Sequence, residues 1–79
     1  MKRSWKITTE NSEHFVTVKQ SLFGFVKIKI DNDCFNLGHV SIFSKRDEPF
    51  RVGDSLCMLT IARGGSIRVT SNDCQVEEI

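Results

Sequence analysis

The chain has 79 residues, of which 39% are hydrophobic and 27% charged, and its formal net charge is +1. This length suffices for one domain, whose modest core leaves modest stability. The composition excludes a disordered chain, the charge excludes a strongly basic nucleic-acid binder, and no apolar run approaches the roughly 18 to 20 residues needed to span a bilayer.

The N-terminal residues and the cysteines indicate the cellular compartment. Met1–Lys6 is followed by Ile7–Glu10, without the apolar segment of a secretory signal. The odd number of cysteines, their wide spacing and the lack of a Cys-x-x-Cys motif are typical of reduced thiols; they are Cys34, Cys57 and Cys74. We therefore expect a cytoplasmic protein without a disulfide.

Apolar and polar residues alternate along most of the chain, and Val, Ile, Thr and Phe are abundant, as in half-buried strands. The predicted strands span residues 4–9, 14–20, 25–31, 34–38, 39–45, 49–52, 55–63, 66–71 and 74–78. The sequence thus predicts one all-β domain over residues 1–79, a small antiparallel β-sandwich or partly open barrel of about eight strands. Its predicted core consists of Val16, Val18, Val26, Ile28, Ile30, Phe35, Leu37, Val40, Ile42, Ile67 and Val69.

Two hairpins can be registered from their turn residues. A two-residue loop at Asn32-Asp33 places Ile30 opposite Phe35. A turn at Gly64-Gly65, where either glycine can adopt positive φ, pairs Ala62 with Ile67 and Thr60 with Val69, and puts Met58 on the same face.

The triplet Asn32-Asp33-Cys34 recurs as Asn72-Asp73-Cys74. A glycine and a strand with a central cation precede each copy, at Gly24–Ile28 and Gly65–Val69. Asn and Asp favour turns, and a cysteine that opens the next strand is typically buried. We interpret the triplets as turns of a duplicated strand unit.

Residues that would support catalysis or metal binding are sparse. His14 and His39 have no second ligand close in sequence, and no nucleophile motif surrounds any cysteine or serine. We expect His39 to be a buried core residue, opposite Val26, and His14 to be exposed at a strand end. The sequence predicts no enzyme, no metal and no cofactor.

One segment matches a nucleic-acid-binding pattern. Phe23–Ile28 resembles the centre of the RNP1 motif, in which aromatic side chains on a sheet stack against bases, and His14–Val16 is similar to the aromatic partner strand of cold-shock proteins. Ser21-Leu22 replaces the leading basic-Gly pair of RNP1, and the net charge of +1 provides little attraction for phosphates. Single-stranded nucleic-acid binding is therefore the alternative function.

The order of these features resembles the Fas apoptotic inhibitory molecule family. His14–Val18 is similar to its opening strand, Gly24–Asn32 to its glycine, alternating strand and turn, Phe50–Gly53 to its Phe-x-Val-Gly step, and Ser55–Cys74 to its final hairpin. The resemblance implies a compact β-sandwich that lacks catalytic residues and acts in the cytosol through protein partners.

We therefore expect a non-catalytic binding or interaction module with a protein partner, as in that apoptosis-inhibitor family. Its predicted contact surface consists of Phe23, Phe25, Lys27 and Lys29, or of an unpaired edge strand. The expected state is a monomer or a weak dimer through such an edge, with no membrane association.

Overall fold

The computed structural model describes all residues from 1 to 79 and is all-β. A five-stranded antiparallel sheet has the order β4-β3-β2-β1-β8, and a three-stranded antiparallel sheet has the order β5-β6-β7. The strands are β1 (Lys2–Thr8), β2 (Glu13–Gln20), β3 (Phe25–Ile30), β4 (Asp33–His39), β5 (Arg46–Val52), β6 (Ser55–Ile61), β7 (Ile67–Ser71) and β8 (Gln75–Glu78). The predicted all-β, two-sheet fold class is confirmed. No helix in the structure could span a membrane.

The predicted strand at 39–45 is wrong, whereas each of the other predicted strands has a counterpart. Residues 40–45 form the loop that carries the chain from β4 in one sheet to β5 in the other. The backbone of this loop bonds to turns instead of to a strand: Val40 N donates to Gly24 O at 2.9 Å, and Gly64 N donates to Ile42 O at 2.7 Å. The alternation of apolar and polar residues at 39–45 therefore belongs to the loop that connects the two sheets and not to a strand.

The hairpin of β3 and β4 turns at Asp31-Asn32, one residue earlier than predicted. Ile30 pairs with Asp33, and a bulge after Val26 brings His39 opposite Phe25. His39 consequently lies on the exposed side of the sheet, and its predicted burial in the core is wrong.

The position of this turn is explained by the contacts of Asp31. Its carboxylate accepts a hydrogen bond from Phe15 N at 3.1 Å and lies 2.7 Å from His14 Nδ1. Its backbone has a φ of 53°, the only positive value outside glycine, which Asp tolerates better than most residues. Contacts with β2 thus place the turn at Asp31, where the local sequence favoured Asn32-Asp33.

The hairpin of β6 and β7 contains the predicted glycine turn, but its register differs by one residue. Gly64 and Gly65 both have positive φ, 89° and 84°, and Ala62 N donates to Ser66 O at 2.8 Å across the loop. Ile61 therefore pairs with Ile67. Because a slip of one residue reverses the faces of a strand, β6 buries Cys57, Leu59 and Ile61 in place of the predicted Met58, Thr60 and Ala62.

The two Asn-Asp-Cys triplets are not structurally equivalent. The first lies at the β3–β4 hairpin within the five-stranded sheet, whereas the second links β7 to β8 across the two sheets. Cys34 is exposed, so its predicted burial is wrong, and Cys74 is half-buried against the core. The interpretation of a duplicated unit therefore holds for the sequence pattern and not for the fold.

The core lies between the two sheets and contains no buried polar side chain. Eight of the predicted core residues are buried, and Leu37 packs at the margin. Phe35 and Ile42 are 51% and 52% exposed, so their predicted burial is wrong. Phe35 lies on an edge strand that the narrower sheet only partly covers, and Ile42 lies in the crossover loop. The buried residues absent from the prediction are Trp5, Ile7, Val52, Cys57, Leu59 and Ile61.

Candidate functional site

Three of the four predicted contact residues share the outward surface of the five-stranded sheet. Phe25, Lys27 and Lys29 alternate along β3 with residues that are buried. Phe23 lies in the preceding turn, with its side chain 80% exposed. The strand period therefore brings one ring and two cations to the same face, and the turn adds a second ring at its edge.

The sheet register adds lysines from two other strands to this surface. Lys19 of β2 lies opposite Lys2 of β1 on one side and opposite Lys27 of β3 on the other. We call the surface the lysine face, and its five lysines are Lys2, Lys6, Lys19, Lys27 and Lys29.

Only one lysine of this face has an acidic partner. Lys6 Nζ lies 3.9 Å from a carboxylate oxygen of Glu77, whereas no salt bridge joins the other four lysines to any carboxylate. Like charges directly opposite each other destabilise a sheet and concentrate positive potential on its surface. A face of this kind attracts anions even though the whole chain is nearly neutral.

Two half-exposed phenylalanines border the lysines. Phe25 is 51% exposed and packs edge-on against His39, with ring centroids 5.6 Å apart and an interplanar angle of 75°. Phe15 is 48% exposed on the outward face of β2, near the other end of the sheet. Along the strand direction, Phe15 and Phe25 are about six residues apart in the sheet register, which at about 3.4 Å per residue separates the two rings by about 20 Å. Rings at both ends of a cationic surface can stack against planar groups.

A hollow of about 390 Å³ lies where the lysine row meets Phe25. It places three ammonium groups and one aromatic ring around the same space. Its walls are formed by Met1, Lys2, Lys19, Gln20, Ser21, Phe25 and Lys27.

The adjoining end of the molecule carries an exposed apolar tip. Leu22 is fully exposed in the turn closed by the hydrogen bond from Gly24 N to Ser21 O at 3.1 Å. Phe23 in the same turn and Phe43 in the crossover loop are 80% and 82% exposed. Leu22, Phe23 and Phe43 are called the apolar tip below. The two loops lie side by side, because Val40 N at the start of the crossover loop donates to Gly24 O at 2.9 Å. Exposed apolar groups that lie together favour an interaction surface.

The two edge strands on the open side are less accessible than predicted. β5 contains Pro49, which has no N–H to offer a partner strand. Arg46 of β5 donates to the carbonyl oxygen of Leu37 in β4 at 3.0 Å. This bond occupies one acceptor on the β4 edge and fastens the two edges together, so the lysine face is the better candidate site.

The residues of this face that sequence reasoning missed are Lys2, Lys6, Lys19 and Phe15. Each lies on the side of β1 or β2 opposite the buried residues of that strand, so strand period could have assigned them to the outward side. Their neighbours depend on pairing between strands far apart in sequence, which composition does not reveal.

Cys34 is exposed and lies opposite Lys29 at the edge of the lysine face, whereas Cys57 is buried and Cys74 is half-buried against the core. Burial, followed by the proximity of Cys74, raises the pKa of the Cys57 thiol to about 11. The thiolate required for nucleophilic attack is therefore suppressed at Cys57.

No protein-family model, curated protein or solved structure matches this chain.

Proposed function

We propose that the protein is a cytoplasmic binding module that holds single-stranded nucleic acid on its lysine face. The observation that carries this proposal is the unneutralised row Lys2-Lys19-Lys27 beside the half-exposed ring of Phe25. Phosphates would contact the ammonium groups, and bases would stack on the rings of Phe25 and Phe15. The net charge of +1 argued against this function, but charge segregated onto one face attracts a polyanion regardless of the total.

A fluorescence titration with a labelled single-stranded oligonucleotide at low salt tests the proposal. We expect saturable binding that weakens by about 1–3 kcal/mol in Phe25→Ala, because one base loses its stacking partner. Phe43→Ala is the matched control, since Phe43 is as exposed as any phenylalanine here but lies in the crossover loop. Absence of binding, or equal losses in the two variants, would contradict the proposal.

The second candidate is a protein partner, as the resemblance to the Fas apoptotic inhibitory molecule family implies. The apolar tip supports it, because Leu22, Phe23 and Phe43 expose at least four-fifths of their side chains. Amide chemical-shift mapping during titration with cell lysate tests it. Shifts centred on these three residues, and lost in Phe23→Ser, support a protein partner at the tip; shifts confined to other loops contradict it.

A further inference from the structure

Three polar side chains near the opposite end of β2 form a continuous hydrogen-bonded chain. Ser12 Oγ lies 2.8 Å from His14 Nε2, and His14 Nδ1 lies 2.7 Å from Asp31 Oδ2. The second carboxylate oxygen, Oδ1, accepts a hydrogen bond from Phe15 N at 3.1 Å. A hydroxyl, an imidazole and a carboxylate connected in this order through these ring nitrogens are the arrangement that activates serine in hydrolases.

When the imidazole of His14 is neutral, only one assignment of donors and acceptors fits the two hydrogen bonds that it makes to Ser12 and Asp31. An ionised carboxylate can only accept hydrogen bonds, so the proton of His14 lies on Nδ1 and is donated to Asp31. Nε2 then carries a lone pair, and the Ser12 hydroxyl is the donor to it. This is the tautomer in which histidine can remove a proton from serine. The same hydrogen bond from His14 holds the pKa of the Asp31 carboxyl below its usual range, which keeps the carboxylate ionised.

The fold holds the three residues from different segments. Ser12 closes the loop between β1 and β2, where Thr9 N donates to its carbonyl oxygen at 2.9 Å and Thr9 Oγ1 lies 2.9 Å from its Oγ. His14 stands on β2, and its side chain is 21% exposed. Asp31 is held in the left-handed region in the adjacent hairpin turn.

A polar cleft of about 400 Å³ lies beside Ser12. Gly53 also lines this cleft and lies close to the base, because a Cβ atom at Gly53 would be 3.7 Å from His14 Nε2, an ordinary contact distance. The backbone N–H groups of Ser12 and Gly53 make no hydrogen bond within the protein. They are unpaired backbone donors at the wall of the cleft, of the kind that stabilise an oxyanion in hydrolases.

The charge of the cleft indicates the class of substrate. Glu10, Asp54 and Asp73 line it, whereas no lysine, arginine or apolar residue does. Three carboxylates favour a small ligand with a positive charge and disfavour an anionic one.

We propose that Ser12, His14 and Asp31 form a hydrolytic site that cleaves small cationic esters. Ser12 Oγ attacks the ester carbonyl carbon while its proton passes to His14 Nε2. The tetrahedral intermediate then breaks the carbon–oxygen bond to the alcohol, which leaves with the proton from Nε2. Water attacks the resulting acyl-serine, gives a proton to Nε2, and releases the carboxylic acid as Ser12 regains that proton. Asp31 acts as a positioning residue for the imidazole.

This activity is separate from the proposed binding function, because the lysine row and the hydrolytic site lie at opposite ends of β2. A purely structural role for the pair of His14 and Asp31, joining β2 to the β3–β4 turn, makes a different prediction. In that role the Ser12 hydroxyl only adds loop contacts to Thr9 and His14 and forms no covalent adduct with an ester.

The test uses the full 79-residue chain and two chromogenic esters, cationic p-nitrophenyl p-guanidinobenzoate and neutral p-nitrophenyl acetate. We expect a burst of p-nitrophenolate with the cationic ester, an acyl adduct that peptide mapping places on Ser12, and slower reaction with the neutral ester. Ser12→Ala and His14→Gln should lower the rate by at least about 100-fold, the lower range for loss of general base catalysis.

Ser44→Ala is the matched control, because Ser44 is an exposed loop serine whose side chain makes no hydrogen bond. Thermal melting of each variant separates loss of activity from loss of fold, and Ser12→Ala should lower the melting temperature only slightly, because its lost contacts to Thr9 and His14 lie at an exposed loop. An unchanged rate in Ser12→Ala, or an adduct on another residue, would overturn the hydrolytic site. Faster reaction with the neutral ester would overturn the assignment of a cationic substrate.

Discussion

Replacement of Lys19 should stabilise the protein and weaken its binding of nucleic acid. Lys19 is the middle residue of the row Lys2-Lys19-Lys27, with a like charge opposite it on each side and no acidic partner. Favourable cross-strand pairs contribute about 0.2–1 kcal/mol each and like charges directly opposite destabilise, so we take a cost of about the same size for each like-charge pair. Lys19→Gln removes two such pairs and retains a long polar side chain, so we expect a gain in unfolding free energy of about 1 kcal/mol, within about 0.4–2 kcal/mol.

Thermal denaturation followed by circular dichroism measures this gain. For a domain of this size, about 1 kcal/mol raises the melting temperature by about 4–8 °C at low salt. The difference should shrink in about 1 M salt, where the Debye length falls to about 3 Å. In the oligonucleotide titration, the same variant should bind more weakly, and its log–log salt slope should be smaller by about 0.7 for one lost phosphate contact.

Lys45→Gln is the matched control, because the Lys45 ammonium lies 3.8 Å from an Asp47 carboxylate oxygen and outside the lysine face. It should give no gain in melting temperature and no loss of affinity. A lower melting temperature for Lys19→Gln, or a gain that salt leaves unchanged, would refute the argument that charge repulsion strains this face.

Three further predictions concern the core and the titrating groups. Leu59→Ala should lower the free energy of unfolding by about 2–5 kcal/mol in urea denaturation, because Leu59 is fully buried on the central strand of the smaller sheet. A loss below about 1 kcal/mol would contradict this and would mean that the surrounding residues collapse into the cavity. Exposed Cys34 should react with iodoacetamide well before Cys57, as followed by intact mass. Because folding raises the pKa of Cys57 from 9.0 to about 11, the stability that the neutral Cys57 thiol contributes is complete below pH 9.0 and is lost as the pH rises toward 11. Cys57→Ala should not show this loss of stability at high pH. The pKa of Asp31 is lowered from its ordinary value of 3.8, so ionised Asp31 stabilises the fold above that pH, and this stabilisation is lost as the pH falls through the folded pKa. Asp31→Asn should therefore reduce the melting temperature at neutral pH and reduce it less in acid. Equal reductions at both pH values would contradict this prediction.

The strand content follows from local patterns that the sequence displays directly. Alternation in β2 and β3 predicts both strands and their buried side, because side-chain direction in a strand has a period of two residues. Gly64-Gly65 predicts a turn, since only glycine adopts positive φ without steric cost. These properties require no knowledge of what packs against the strand.

The register of the strands depended on the tertiary structure. One extra loop residue before Ile67 reversed the buried face of β6, and the contacts of Asp31 moved the neighbouring turn. Neither effect is visible in the local sequence, because turn length and side-chain contacts between strands compete with local turn preference.

Local alternation therefore predicts that the chain is all-β and which faces of β2, β3 and β7 are buried. It does not predict the row of Lys2, Lys19 and Lys27, or the hydrogen bonds that connect Ser12 through His14 to Asp31, in a turn 17 residues beyond His14. Alternation is a property of one strand, whereas a site is created by pairing between strands. Pairing places residues that are far apart in sequence about 5 Å from one another, and it concentrates charge on one face of a chain whose net charge is +1.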